Sequence, residues 1–492
     1  MLRHAFAAVA ILGAATLLAV PPDPLATFNA HFADRTLRVD YLHIGNATEE
    51  IFTLDRFVEQ GVWAGSRVHL LDPFENGRCV AKVYDATTGT LLFSRGFDSY
   101  FGEYRTTDQA AKGVRRAYHE SVLIPVPKHR VRFALELRGA DRKLREVASF
   151  DIDPASWEIV REKPDPAILV FPSHISGDVH AKVDLAILGE GYTLAEVGKF
   201  KADLDRFTSI FLGAEPYARM TDRFNILGVL KPSDESGIDE PSHGSYRRTA
   251  LGATFDSLGS ERYVLTEDNR ALRAVAAAVP YDALYIMVNS ARYGGGGIYG
   301  LYATFTTDNQ WHRYVFLHEF GHSFGGLADE YYTSSTAYND FYPRGVEPVE
   351  PNITALLDPA NLKWKALVTP GTVVPTPWEK ADYDTQDMAY QKVRQALNEK
   401  IAAAKRTGAP EAEVAKLQEE SERLSREAAE KADAYLAKSR YVGVVGAFEG
   451  AGYSAQGLYR PMLDCLMFSK GDKPFCKVCQ AAVERRIEHF GE

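Results

Sequence analysis

Cysteine and long apolar runs are scarce in this chain, and each scarcity excludes something. Four cysteines in 492 residues (Cys79, Cys465, Cys476 and Cys479) are too few for a disulfide scaffold. Beyond the first twenty residues no stretch is apolar enough to span a bilayer. Positive charge is outnumbered, with 56 Lys and Arg against 66 Asp and Glu. The net charge of −10 has no basic counter-patch, which argues against nucleic acid as a partner and mainly serves solubility. No internal repeat is visible.

What is present is a globular composition, 46% hydrophobic and 25% charged, on a chain long enough for two or three domains. The opening "MLRHAFAAVAILGAATLLAV" places Arg3 and His4 before a run of small and aliphatic residues, and "PPDP" breaks that run at once. Residues 1–22 therefore read as a signal peptide, with Ala19 the small residue at the cut and an uncleaved N-terminal anchor as the alternative. The mature protein is then expected to be secreted, periplasmic or at the cell surface, with no membrane span.

Residues 25–155 read as an antiparallel β-sandwich. "TLRVDYLHI" (Thr36 to Ile44) alternates like a half-buried strand. "CVAKVYDATTGTLLFSRGF" reads as two strands joined at Thr-Thr-Gly, and "VRFALELRG" as another after the punctuation of Pro125 and Pro127. No site of titratable residues is legible there. Residues 175–492 read as a second, α+β domain. "VDLAILGEGYT" is a buried strand, Thr193 and Glu196 make a capping box, and "LAEVGKFKADLDRFTSIFL" is the helix that follows. "YDALYIMVNS" is another buried strand. Residues 380–440 change to Ala, Glu, Lys and Gln. Met388, Val393, Leu397 and Ile401 fall at helical spacing, as do Val414, Leu417, Leu424 and Leu436, with Gly408 and Pro410 between the two runs. That pattern is an antiparallel helical hairpin, read as a solvated insertion.

The stretch "RYVFLHEFGHSFGGLADEYY" carries the chemistry. Val315, Phe316, Phe320 and Phe324 give an apolar helical face, and Gly325-Gly326 stops the helix. His318 and His322 stand one turn apart, so two imidazole nitrogens can meet one zinc ion. Glu319 is placed to take a proton from water without ligating the metal. Five residues alone recur by chance; the helix, the glycine stop and the acidic pair that follows are what carry the motif. A catalytic zinc needs a third protein ligand, and Asp329 is the expected one, with Glu330 next. The proline-rich "YPRGVEPVEPN" excludes a ligand on a following helix. Cys476 and Cys479 have zinc or redox spacing, but a structural zinc needs four ligands and only Cys465 is near in sequence. A local disulfide or buried thiols are therefore expected. "GGGIYG" fits a dinucleotide fingerprint, yet strand-like "LYATFTTD" follows it, so the glycines are read as space beside an edge strand able to pair with extended substrate.

"HEFGHSFGGLADEYY", preceded by "ARYGGGGIYG" and followed by "GLYRPMLDCLMF" and "FCKVC", resembles the IgA-peptidase family of secreted bacterial zinc metallopeptidases. "GEGYT", "ESGIDEPSHGSYRRTALGATFDSLGSERYV", "YDALYIMVN", "LRVDYLHIG" and "LLFSRGFDSYF" extend the resemblance over nearly the whole mature chain except the hairpin. The resemblance implies a metzincin-like zinc peptidase domain with one catalytic zinc ion on His318 and His322, an acidic ligand in "ADEY", and Glu319 as the base. The spacing departs from the metzincin pattern, whose third ligand falls three residues after the glycine, where this chain has Ala328. A methionine turn is also implied, and Met467 in "CLM" is the candidate, with core packing of Met462 and Met467 as the alternative. Tyr459 or Arg460 is the candidate contact for an oxyanion or substrate. The implied partner is a protein or peptide substrate. A zinc amidase acting on a non-protein amide, or a non-catalytic exported binding protein, are the competing readings. No feature fixes an oligomeric state.

Overall fold

The computed structural model describes residues 24–161, 163–332 and 342–491. The signal-peptide reading of residues 1–22 lies outside them. The architecture is mixed α/β with several sheets. Two four-stranded sheets form the N-terminal region. One runs in the order Arg116–Pro127, Phe32–Gly45, Glu50–Glu59, Val160–Arg161, and the other Leu91–Phe97, Cys79–Asp85, Val131–Arg138, Leu144–Ile152. The prolines at 125 and 127 do not interrupt a strand. They sit in Arg116–Pro127 at the edge of its sheet, where the unpaired side needs no N–H.

Phe32–Gly45 differs from its expected half-burial. Leu37, Val39 and Tyr41 enter the hydrophobic core with His43 buried on the same face, but Arg38 and Asp40 on the opposite face are buried as well. Polar groups survive there because they are paired: Arg38 grips Asp40 through Nε at 2.7 Å and Nη2 at 2.9 Å. The cover on that side includes the helix Asn269–Ala276, whose Arg273 Nε donates to Ser121 Oγ at 3.0 Å.

Farther along, six strands form one sheet in the order Gly295–Ile298, Tyr302–Thr306, Ala283–Val288, Val183–Glu190, Phe224–Leu230, Leu169–His174. The four inner strands are parallel to one another, and both edge strands are antiparallel. Val183–Glu190 is buried along its whole length, Asp184 and Glu190 included, as a parallel strand covered on both faces should be. The Thr193–Glu196 capping box forms and leads into the helix Val197–Leu212. That helix and His312–Ser323 lie in contact, and their Phe207, Phe211, Phe316 and Phe320 make a second core with Tyr285 of the sheet.

The hairpin is present as Lys380–Arg406 and Glu411–Leu436. It is more than a solvated insertion. Leu397 and Ile401 are buried, while Met388 and Val393 of the same expected stripe are half exposed. Trp311 Nε1 donates to Ser425 Oγ at 3.1 Å and Tyr332 Oη to Asp384 Oδ1 at 2.6 Å, so both helices are tied to the body beside the histidine motif. No helix among the described residues is long and apolar enough to cross a membrane.

Candidate metal centre

The helix His312–Ser323 is fixed from its apolar side. Phe316 stacks on Tyr285 at 4.9 Å and meets Phe207 at 5.1 Å, which turns His318, Glu319 and His322 away from the sheet's centre toward its edge strand. The edge strand Gly295–Ile298 lies close enough that a Cβ on Gly297 would come 2.5 Å from the Glu319 carbonyl oxygen and 2.9 Å from His322 Cβ. The glycine run is thus what lets the helix rest on the strand, a tighter role than open space beside an edge. One end of that edge is already taken, since Val264 N donates to Gly295 O at 3.1 Å.

Past the helix the chain doubles back. Gly326 adopts φ +63°, and Gly326 N and Leu327 N donate to His322 O at 3.1 Å and Gly321 O at 3.0 Å. That left-handed turn returns Asp329 to the histidines. Asp329 Oδ1 stands 3.1 Å from His318 Nε2 and 3.2 Å from His322 Nε2, and the two Nε2 atoms are 3.2 Å apart. Glu319 also offers an oxygen within 4.8 Å of the imidazole nitrogens. Glu330, the alternative, points elsewhere: its Oε1 lies 3.2 Å from Cys479 Sγ.

These residues fit a tetrahedral metal. With metal–ligand distances of about 2.0–2.1 Å the ligand atoms stand about 3.3 Å apart, and the three separations above are 3.1, 3.2 and 3.2 Å. Each ring turns Nδ1 to a carbonyl, His318 to Leu466 O at 3.1 Å and His322 to Leu327 O at 2.7 Å, so a neutral ring keeps its proton there and aims the Nε2 lone pair inward. Asp329 Oδ1 is buried and accepts no hydrogen bond from a described residue, as an atom reserved for a cation would be. Burial opposes charge on Asp329, but His322 and His318 hold its carboxyl well below the usual range. Burial likewise lowers His322, and Asp329 outweighs it, pushing the imidazole up to about 9. Proton and metal thus compete for one point. Burial pushes Glu319 upward against the pull of both histidines.

Met467 is fully buried, with its sulfur against the helix at Gly321 and its carbonyl accepting from Glu330 N at 2.8 Å. Met462 is only partly buried. Tyr459, the expected oxyanion or substrate contact, lies apart from the histidines. It lies in the strand Ser454–Arg460, pairs with Thr354 through N–H···O at 2.9 Å, and is not among the residues lining the cleft. Arg460 is buried against Phe468 at 3.9 Å and donates to Gly450 O at 2.8 Å, away from the cleft. Tyr453 is the residue that sequence reasoning missed. It lines the cleft, and its hydroxyl donates to Asp329 Oδ2. Arg262 and Tyr331 also line it, with Arg262 Nη2 donating to the Tyr331 hydroxyl at 2.9 Å. Tyr331 belonged to the quoted motif; Arg262 and Tyr453 lie far from it in sequence.

The arrangement is a cleft walled by an edge strand, holding a tight acceptor triangle with a carboxyl beside it. A comparison with curated proteins finds no match. Comparison with family models does: residues 27–149 match Peptidase M64 N-terminus, and residues 172–487 match IgA Peptidase M64, a span that contains every residue of the centre described above. The protein that carries this acceptor triangle belongs to the IgA Peptidase M64 family.

Proposed function

We propose that the chain is a secreted zinc-dependent endopeptidase, with zinc held by His318, His322 and Asp329. The observation that carries the reading is the triangle of Nε2, Nε2 and Oδ1 atoms at 3.1–3.2 Å with Glu319 alongside. Membership of a peptidase family supports peptide hydrolysis and a protein or peptide substrate. We further assign residues 1–22 to an export signal, 25–155 to a β-sandwich domain and 175–492 to a metzincin-like catalytic domain carrying the 380–440 hairpin. Met467 takes the place of the methionine turn.

Bound zinc would supply Lewis acidity, lowering the pKa of a water in its open position toward about 7 and polarising a carbonyl. The chain's own residues do the rest. Glu319 accepts the proton of the attacking water on a carboxylate oxygen, and the water oxygen forms its bond to the scissile carbonyl carbon. As the carbon–nitrogen bond breaks, Glu319 returns that proton to the leaving amine. Tyr453 holds Asp329 in place through Oδ2. Tyr331 replaces Tyr459 as the candidate oxyanion donor. Its oxygen already accepts from Arg262, which leaves its own proton to give. Extended substrate lies along the free part of Gly295–Ile298.

Digestion of a diverse peptide library by the mature chain, read by mass spectrometry beside Glu319→Gln with zinc content measured on both, tests this reading. Cutting by the wild type alone, with zinc in both, is expected. Zinc in both and cutting by both would remove Glu319 from the chemistry. Zinc in neither would end the metallopeptidase reading.

A further inference from the structure

All four cysteines are free thiols and buried, and three of them meet in one place. Cys465, Cys476, Cys479 and Glu330 each offer a ligand atom within 4.8 Å of every other. The cluster lies behind the catalytic triangle, since Asp329 faces the histidines while its neighbour Glu330 faces the thiols. We propose that Cys465, Cys476, Cys479 and Glu330 bind a second metal ion, a structural zinc distinct from the one on His318 and His322.

Separations fit this ion. Tetrahedral zinc with sulfur ligands at about 2.3 Å sets sulfur atoms about 3.8 Å apart, and Cys465 Sγ and Cys479 Sγ are 3.8 Å apart. Oxygen at about 2.1 Å would stand about 3.6 Å from each sulfur; Glu330 Oε1 lies 3.2 Å from Cys479 Sγ and 4.0 Å from Cys476 Sγ. The sulfurs also receive backbone N–H groups. Cys476 N and Met467 N reach Cys465 Sγ at 3.1 and 3.4 Å, and Cys479 N reaches Cys476 Sγ at 3.5 Å. Donors of this kind stabilise thiolate over thiol. Cys476 is moreover the N-cap of the helix Lys477–Phe490, where the helix dipole favours a thiolate.

Glu330 is the second and independent sign. It has no solvent exposure. Asn352 Nδ2 donates to its Oε1 at 3.0 Å, while Oε2 is buried and meets no hydrogen-bond partner among the described residues. A carboxylate so placed is costly without a cation beside it. Three thiolates and one carboxylate are a closed, four-ligand set with no open position, which marks a structural rather than a catalytic zinc. Such an ion would join the Asp329–Glu330 segment, the Met467 turn and the last helix beneath the histidines.

Zinc per chain, counted by mass spectrometry on the full mature protein after dialysis, tests the proposal together with His318→Ala/His322→Ala and Cys476→Ser/Cys479→Ser. Two ions are expected in the wild type and one in each double variant. On cobalt substitution the histidine variant keeps a thiolate-to-metal charge-transfer band, and the cysteine variant lacks it. Should the cysteine variant not fold, the histidine variant still decides: a folded protein with no metal and no band overturns the proposal. One ion in the wild type that is lost from the histidine variant overturns it too and leaves the catalytic reading intact. One ion that persists there with its band supports this site and removes the catalytic one. Fewer than four thiols in the denatured wild type, signalling a disulfide within the cluster, would also overturn it.

Discussion

His43 and His318 are both buried beside carboxylates, yet one sits in a closed ion-pair network and the other in a convergence of acceptor atoms. His43 uses its two nitrogens on two different groups, Nδ1 on Glu120 at 3.0 Å and Nε2 on Glu50 at 3.1 Å, and its ring is sandwiched between Phe52 and Phe101. Glu50 in turn accepts from Arg78 Nη1 at 2.8 Å, so the network neutralises itself. At the other centre the ring nitrogens are unequal. Each Nδ1 is spent on a carbonyl, and both Nε2 atoms converge on one oxygen of Asp329. Convergence of acceptors, rather than burial or charge, is what marks the site.

The sharpest way to break this comparison is to remove the base and leave the triangle. Glu319→Gln is expected to lower kcat/KM by about 10²–10⁴-fold with zinc content and thermal midpoint unchanged, measured by peptide turnover and metal analysis. A loss of zinc in this variant would place Glu319 among the ligands instead.

The N-terminal network should respond in the opposite sense. Glu50→Gln leaves His43 and Arg78 without their shared partner, and an expected loss of about 3–5 kcal/mol in denaturant unfolding follows, with no change in zinc or turnover. Burial opposes charge on Glu50, but His43 and Arg78 hold its carboxyl at about 2 against an ordinary 4.5. A carboxyl so depressed contributes stability above its unfolded value, and that contribution, about 3 kcal/mol, is lost as pH falls from about 4.5 to 2. Burial lowers His43, but Glu120 and Glu50 raise it overall, so its share is present below about 6.5 and lost as pH rises through the raised folded value. Unfolding midpoints against pH should therefore show an acid limb that Glu50→Gln flattens.

Gly297→Ala probes the contact between edge strand and helix. The added methyl would sit 2.5 Å from Glu319 O, a backbone atom that has no side-chain freedom to yield. A cost of about 1–3 kcal/mol is expected, together with weaker zinc retention against a chelator, because the same helix carries both histidines.

How much of this was legible depended on how far the chain had to travel. The histidine pair and Glu319 share one helical turn, and Asp329 follows one glycine stop, so periodicity and turn chemistry alone bring them together. The burial of both faces of Phe32–Gly45 was not legible, because its polar face is covered by a helix more than 200 residues later. Nor was the fourth member of the cysteine cluster. Glu330 lies 149 residues from Cys479, and only the fold makes them neighbours. Spacing rules see one element at a time, and a ligand set spread over three segments leaves no period to read.

Tyr453 and Tyr459 make the finest test of that limit, since they lie on one hairpin and the residue read from sequence is not the one that lines the cleft. The hairpin joins Phe448–Ala451 to Ser454–Arg460, and its turn holds Tyr453 at φ +62°. Gly452 N donates to Asp329 O at 3.0 Å and Tyr453 N to Tyr331 O at 3.1 Å, so the turn is stitched to the irregular segment that carries Asp329. That stitching delivers the Tyr453 hydroxyl to Asp329 Oδ2. Tyr459, six residues on, is held in the ladder with Thr354 instead. Tyr453→Phe removes one hydrogen bond to a ligand and should weaken zinc binding about 10-fold in chelator competition, with folding intact because the backbone bonds remain. Tyr459→Phe should leave zinc affinity and kcat/KM unchanged. Equal effects from the two would mean that the hairpin acts through its overall stability and that the hydroxyl on Asp329 does nothing of its own.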